Sequence, residues 1–261
     1  MLKLDFELIP NSLAPAKSYW GGSWADIEAG GGTRWIISDL GPKLIALDHI
    51  LKYVTTSSDN NNGDDDGTDK LNILCPLVGS DLFYHYAWSL GHTVTGIDLI
   101  PLALERMRKQ FGPDESDWTQ EEDEVNGMVI WKHKSGKATL YQGDVFKPLE
   151  DLSDSFDVLY DKDSFGAIPK HKRSEFCDRV TEYLKDGGIV YTEVKFKDDD
   201  HPGRFDGPPF HLDKDELMDK ANFGKSFEYL ESLGEVYEFY KGPSKAKQTG
   251  HVMKRIKTAK R

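Results

Sequence analysis

Asp98 lies nineteen residues beyond Gly79, and each residue closes a short apolar run. Ile73-Leu74-Cys75-Pro76-Leu77-Val78 leads into Gly79-Ser80, and Thr93-Val94-Thr95-Gly96-Ile97 leads into Asp98. The spacing is close to the roughly 20 residues that separate glycine turn and ribose-reading acid in a nucleoside-binding βαβ unit. It commits this region to two neighbouring parallel strands joined by a helix. Gln142-Gly143-Asp144-Val145-Phe146 places another acid after a further strand.

The turn itself narrows the ligand. A dinucleotide site uses G-x-G-x-x-G so that backbone can approach a pyrophosphate. Here Gly79 is followed by Ser80-Asp81-Leu82-Phe83-Tyr84, and an acid beside a phosphate repels it. A nucleoside without phosphates, such as S-adenosylmethionine, suits this loop better. The same observation speaks against a nicotinamide-dependent oxidoreductase.

Strand and helix patterns alternate through most of the chain. An amphipathic helix is expected over 44–54, a strand over 71–77, and a helix over 81–90 closed by Gly91. A strand at 93–98 and a helix at 101–111 follow, with Pro101 in the first turn. Residues 114–124 read as an exposed acidic segment. Strands are expected at 128–132 and 138–143 around Ser135-Gly136, and again at 156–161 and 189–194. Helices are expected at 172–184 and 213–220, and segments 227–240 and 251–256 suit a closing hairpin. This alternation predicts an α/β fold with a mostly parallel sheet covered on both faces. Ligands of such sheets bind at the carboxyl ends of the strands, where Gly79, Asp98, Asp144 and Lys162 all fall.

Composition excludes several classes. The net charge of −12 opposes binding to nucleic acid and to anionic membrane, so neither is expected as a partner. No apolar run approaches a membrane span. The two cysteines, Cys75 and Cys177, sit in a strand and a helix pattern, which suits a reduced, cytoplasmic setting. The eight histidines form no metal-spaced cluster. All 261 residues fit one domain, with 1–40 as an aromatic, glycine-rich lid and 55–69 as a mobile, disordered loop.

Individual candidates carry two readings each. Trp20 and Trp24 form either a core stripe on a helix or, given Gly21, Gly22 and Gly30–Gly32, a lid whose ring faces attract a sulfonium. Asp144 either caps a helix or flanks an adenine together with Val145. Lys162 is either a surface partner of Asp161 or Asp163, or an anion-holding group. Gly207-Pro208-Pro209-Phe210 follows strand 189–194, whereas amino-group methyltransferases carry their Pro-Pro-aromatic motif after the fourth strand of the sheet. That placement argues against nucleic-acid amine methylation.

These segments resemble the thiopurine S-methyltransferase family, which includes halide and thiol methyltransferases. The resemblance runs from about Tyr19 to Phe223. Its carriers are Trp20-x-x-x-Trp24, Pro76-Leu77-x-Gly79, Gly91-His92-x-Val94-x-Gly96-Ile97-Asp98, and Ser135-Gly136 followed by Leu140-Tyr141. Asp144-Val145-Phe146, Tyr160-Asp161-Lys162, Ala167-Ile168-Pro169 and Gly207-Pro208-Pro209-Phe210 complete the set. It implies a Rossmann-like methyltransferase fold with a seven-stranded mixed sheet and an aromatic lid. It implies S-adenosylmethionine contacts at Trp20, Trp24, Leu77, Gly79, Asp98, Asp144 and Val145. Trp35 falls near the family's aromatic that touches both cofactor and substrate. Lys162, Trp35 and Tyr160 are the candidate catalytic residues, with Lys162 also near the cofactor, and no metal is implied. The thiopurine enzymes carry Trp-Asp-Arg where this chain has Tyr160-Asp161-Lys162, and usually Pro-Leu-Cys-Gly where it has Pro-Leu-Val-Gly. Exchanging a planar fork for a point charge points to a small soft anion: a halide, bisulfide or small thiolate. A thiopurine-like S-methyltransferase and a non-catalytic S-adenosylmethionine-binding protein are the alternatives.

Replacing residues 55–69 by a short Gly/Ser turn is expected to leave S-adenosylmethionine binding intact, because such a sequence buries little and loop length costs little. Calorimetry checks this, and lost binding with unchanged circular dichroism would give the segment a role in the site.

Overall fold

A computed structural model describes residues 13–30, 36–54, 70–238 and 246–256. Trp35, Gly31, Gly32 and the 55–69 segment lie outside the described residues. The chain forms a nine-stranded mixed sheet with helices on both faces. In chain order the strands are β1 (Asn72–Pro76), β2 (Thr93–Asp98), β3 (Trp118–Asp123), β4 (Met128–His133), β5 (Ala138–Gln142), β6 (Phe156–Lys162), β7 (Leu184–Lys197), β8 (Phe227–Glu238) and β9 (Ala246–Arg255). The principal helices are α1 (Leu13–Glu28), α2 (Gly41–Tyr53), α3 (Leu82–Ser89), α4 (Pro101–Lys109), α5 (Ser164–Ala167), α6 (Arg173–Tyr183) and α7 (Lys214–Leu217).

The sheet order is β3-β4-β5-β2-β1-β6-β7-β9-β8. Strands β5, β2, β1, β6 and β7 run parallel, and antiparallel strands extend both edges. The order reverses at β1, whose chain continues to β2 on one side while β6 pairs on the other. That is the switch point at which open α/β sheets take their ligands. The central strands are buried on both faces, which is why they read as nearly continuous apolar runs.

Two apolar cores lie on opposite faces. One gathers Leu74, Leu159, Phe165, Phe176 and Val180 under α5 and α6. The other gathers Ile73, Cys75, Phe83, Val94 and Tyr160 under α2 and α3. Asp81 starts α3 by accepting from the Phe83 N–H at 2.9 Å, and Gly91, at φ +90, closes its far end. Cys75 and Cys177 are both buried and free.

Two expectations need correction. Among the described residues the sheet has nine strands, not seven, because β3 and β4 add an antiparallel hairpin beyond β5, with β3 paired to β4 from Trp118↔His133 to Asp123↔Met128. Only Trp118 of β3 is buried, so a strand whose backbone is satisfied by its neighbour looks like an acidic surface segment in sequence. The glycine-rich start also contains a helix, against what its glycines suggest. Helix α1 runs through Gly21-Gly22 and carries both Trp20 and Trp24. Interior glycines cost about 1 kcal/mol each in a helix. Packing of Trp24 with Ile100 and Ala103, and of Trp20, Ile27 and Leu102 around them, offsets that cost.

The most demanding contact is electrostatic. Lys43 of α2 is fully buried, with its ammonium 3.0 Å from Asp81, 3.8 Å from Glu193 and 2.7 Å from the Tyr160 hydroxyl. Burial alone pulls its pKa down, but Asp81, Glu193 and Asp163 together raise it above the ordinary lysine value. Lys43→Met is expected to destabilise the protein by about 3–5 kcal/mol, because it strands two buried carboxylates. Urea denaturation measures this, and a loss below about 1 kcal/mol would show that the acids find other compensation.

Candidate active site

The carboxyl ends of β1, β2, β5 and β6 enclose a cavity of about 290 Å³. Leu77–Asp81 supply one wall, Asp98–Ile100 a second, Gly143–Phe146 a third and Lys162–Ser164 a fourth. Trp20, Trp24 and Ile36 close over it from the N-terminal region, and Ile168, Pro169 and Pro209 form the outer rim. Leu77, at φ 44, and Asp163, at φ 61, are held in the left-handed region although neither is glycine. Strain of that kind, of order 1–3 kcal/mol each, gathers at functional sites.

Asp98 organises the cofactor side. Its carboxylate accepts from the Gly79 N–H at 2.8 Å and from the Ile100 N–H at 2.9 Å. Its backbone carbonyl accepts from the Gly143 N–H at 2.9 Å. A carboxylate has about four acceptor positions, so two bonds leave capacity for two hydroxyl donors. Burial pushes its pKa up to about 6, against the pull of those N–H groups. Gly79, at φ +55, lies flat against the Trp24 indole, and a Cβ there would sit 3.2 Å from the ring. The turn therefore needs glycine for its conformation and for the tryptophan's approach.

Asp144 lines the cavity and its carboxylate accepts from the Phe146 N–H at 3.0 Å. No α-helix starts there, so it orders a turn and leaves the rest of its carboxylate to the cavity. Val145 and Leu77 also line the wall. Lys162 is buried at the end of β6, and its ammonium is 3.5 Å from Asp163. It faces the cavity and is not a surface lysine. The structure thus brings Trp20, Trp24, Leu77, Gly79, Asp98, Asp144, Val145 and Lys162 around one space.

Tyr160 does not belong with them. Its ring is stacked between Phe83 at 3.7 Å and Tyr191 at 5.7 Å, and its hydroxyl accepts from Lys43. It is absent from the wall of the main cavity. The expected catalytic role is replaced by a packing and hydrogen-bonding one, because the side chain of 160 points into the α2–α3 core.

Sequence reasoning missed Asp161, Asp163 and Lys43. Asp161 is fully buried and accepts from the Ser164 and Phe165 N–H groups at 2.7 and 3.3 Å and from the Thr192 hydroxyl at 3.2 Å. It thereby fixes the turn that presents Lys162 and Asp163. The available signal was the Asp-Lys-Asp triplet after an apolar strand, whose alternation sends the first acid to the opposite face from the lysine. Lys43 gave no signal, since a lysine in an amphipathic helix reads as solvated.

The thiopurine S-methyltransferase family model matches residues 61–255 of this chain. The chain belongs to the thiopurine S-methyltransferase family. It is 25% identical to thiopurine S-methyltransferase of Rattus norvegicus over 176 residues, covering 67% of this chain and 71% of that one. It is 28% identical to that of Shewanella woodyi over 159 residues, 60% of this chain and 66% of the other. Among solved structures it resembles Burkholderia thailandensis 1,6-didemethyltoxoflavin-N1-methyltransferase with bound 1,6-didemethyltoxoflavin and S-adenosylhomocysteine. The TM-score is 0.61 at 13% identity, over 95% of this chain and 93% of that chain, which shows a shared fold. The fold is that of S-adenosylmethionine-dependent methyltransferases, and S-adenosylmethionine is the cofactor of this family member. The site fits that group: a buried acid with spare acceptor positions beside a glycine turn, with two indoles lining the same cavity. Among the described residues no helix is long and apolar enough to cross a membrane, and no group of acids, histidines and cysteines suits a metal.

The Asp98 carboxylate must be ionised to accept from two hydroxyls. Its pKa in the free protein is about 6, and donors lower it in the complex. Affinity for S-adenosylmethionine is therefore expected to be constant above that value and to fall towards tenfold per unit as pH drops below it. Calorimetry between pH 8 and 5 checks this, with Asp98→Asn expected to bind weakly and without that pH dependence. Asp98→Ala is expected to weaken binding by about 1.5–3 kcal/mol at pH 7.5.

Proposed function

We propose that this protein methylates a small, soft nucleophile, a thiol, bisulfide or halide, by in-line displacement at the methyl group of S-adenosylmethionine. The observation that carries this reading is Lys162, whose side chain is 6% exposed and stands in the wall of the cavity.

When bound, the cofactor supplies an electrophilic methyl group on a sulfonium. The protein supplies position. Asp98 would hold the ribose, Gly79 and Leu77 would border the tail, and Asp144 and Val145 would flank the base. Trp20 and Trp24 would cover the sulfonium side and keep water out. Holding two reactants in line is worth about 7–11 kcal/mol in favourable cases. Lys162 would hold the nucleophile as a compact charge, suited to a small anion or a nascent thiolate. The relatives named thiopurine S-methyltransferase favour a second reading, an aromatic thiol substrate, which the same residues would serve if the rim at Pro169 and Pro209 moved outward.

Transfer from labelled S-adenosylmethionine to iodide, bisulfide, thiophenol and a thiopurine, with volatile products captured, tests the proposal. Methylation of none of these, with cofactor binding intact, would overturn it. Lys162→Met is expected to weaken use of iodide and bisulfide by about 1–3 kcal/mol in kcat/KM, the scale of a charge-assisted contact. Cofactor affinity should stay nearly the same. Lys162→Arg should restore part of the rate and shift preference towards larger planar thiols. Parent rates in Lys162→Met would remove the lysine from the nucleophile's site.

A further inference from the structure

Asp163 stands in the cavity wall and has no part in the chemistry described so far. Its side chain is 10% exposed. The backbone is locked in its left-handed conformation by two bonds: its N–H donates to the Glu193 carbonyl at 2.9 Å, and its carbonyl accepts from the Ala167 N–H at 2.8 Å. It occupies the N-cap position of α5, yet its carboxylate makes no capping bond. Asp161 takes the Ser164 and Phe165 N–H groups instead. The Asp163 carboxylate is thus left for the cavity, with Oδ1 accepting from Gln248 Nε2 at 2.8 Å and Oδ2 3.5 Å from the Lys162 ammonium.

We propose that Asp163 is the general base that takes the proton from a neutral thiol substrate, so that this site is built for protonated thiols in preference to halides. The inference rests on the methyl-transfer reading of the same cavity. As the substrate sulfur attacks, its S–H bond breaks and an O–H bond forms on Asp163. A new sulfur–methyl bond forms, and the sulfonium's carbon–sulfur bond breaks with its electron pair left on the departing thioether. No other reactant is needed.

Charge balance supports this assignment. Before the step the buried wall holds Lys162 as a cation beside Asp163 as an anion, and the thiol is neutral. After proton transfer Asp163 is neutral, the wall's charge has risen from zero to +1, and the thiolate's −1 faces Lys162, so wall and nucleophile together stay neutral. A nucleophile arriving as an anion must instead shed its hydration and approach Asp163 while that group is still ionised, which is costly in a buried site. Gln248 adds a second observation. It is fully buried, and among the described residues its Oε1 has no hydrogen-bond partner while Nε2 serves Asp163. An amide offers a donor to an ionised carboxylate and, turned over, an acceptor to a protonated one. Both protonation states of Asp163 are then satisfied. Lys43 from α2 and Tyr237 of β8 interact with it electrostatically, Asp81 ahead of α3 lines the same cavity, and Glu193 of β7 meets it through its backbone carbonyl.

The test compares the parent protein with Asp163→Asn on iodide, thiophenol and an alkyl thiol that is protonated at pH 7. Loss of a general base typically costs roughly 10²–10⁴-fold, so kcat/KM for the alkyl thiol should fall on that scale. Iodide should move the other way, with KM lowered several-fold, because Lys162 is no longer neutralised. A loss shared by iodide and the alkyl thiol would reduce Asp163 to a residue that shapes the loop. A gain for both would reduce it to a brake on Lys162. The parent alone also decides: kcat/KM for the alkyl thiol should be flat from pH 7 to 8.5, and a rise of tenfold per unit would mean that only solution thiolate reacts. A readout without turnover uses iodide as a thiolate mimic. Its binding to the S-adenosylhomocysteine complex at pH 6 should take up protons in the parent and fewer in Asp163→Asn, read from heats in buffers of different ionisation enthalpy. Equal uptake in both overturns the assignment. A parent that binds cofactor yet methylates no nucleophile would instead sink the reading on which it rests.

Discussion

The strand ends on the β1, β2 and β5 side of the cavity depend on Asp98. One residue ties together the ends of three neighbouring strands, through the Gly79 N–H after β1, the Ile100 N–H after β2, and its own carbonyl to Gly143 after β5. The arrangement is held against a cost. A rise in pKa from 3.8 to about 6 corresponds to about 3 kcal/mol of unfavourable burial of the charged form. Hydroxyl donors that complete the carboxylate's hydrogen bonds recover part of it. One carboxylate thus sets the geometry of the strand ends and keeps acceptor positions for further donors.

The nucleophile side is built on a different principle. Backbone N–H groups set the cofactor side, whereas side-chain charges set the other. Lys43, Asp81, Glu193 and Tyr160 form a buried cluster behind the wall, with Tyr191 and Tyr237 hydroxyls donating to Glu193 at 3.1 and 2.8 Å. Lys162 and Asp163 form its cavity-facing edge. Lys43 and Lys162 both pull the Asp81 pKa down, which outweighs the burial that raises it. Burial dominates at Glu193, whose pKa is raised. The cluster thus sets two lysines, Lys43 and Lys162, against three acids, Asp81, Glu193 and Asp163.

Much of this was legible in the sequence where chemistry and spacing coincide. Gly79 and Asp98 announced themselves because a turn glycine and a strand-end acid at that separation have few other uses. The parallel core followed from apolar runs punctuated by Gly91 and Pro101. What stayed hidden is non-local. β3 exists because β4 offers it a ladder, and its exposed acids give no period-two signal. α1 exists because Trp20, Trp24 and Ile27 find Ile100, Ala103 and Leu102, which helix propensity around Gly21-Gly22 does not reveal. Tyr160 looked catalytic because it precedes Asp161-Lys162, but that position alone does not show whether it faces the cavity or the core.

Strand alternation separates the roles of neighbouring residues on β6. On β6, Asp161 points to the α5–α6 face, where Ser164, Phe165 and Thr192 satisfy it. Tyr160 points to the α2–α3 face, and Lys162 turns to the cavity. The turn after β6 is fixed by Asp161 alone, independently of the charge carried at 162 and 163. Those two positions also lie across the switch point from β2, whose Asp98 makes its bonds without them. A change from a planar fork to an ammonium at 162, or the placing of an acid at 163, therefore alters the field around the nucleophile without loosening the strand ends that hold the cofactor. On the proposed reading, substrate class and cofactor binding would be mechanically separable, because the residues assigned to them are anchored on different strands by different kinds of bond.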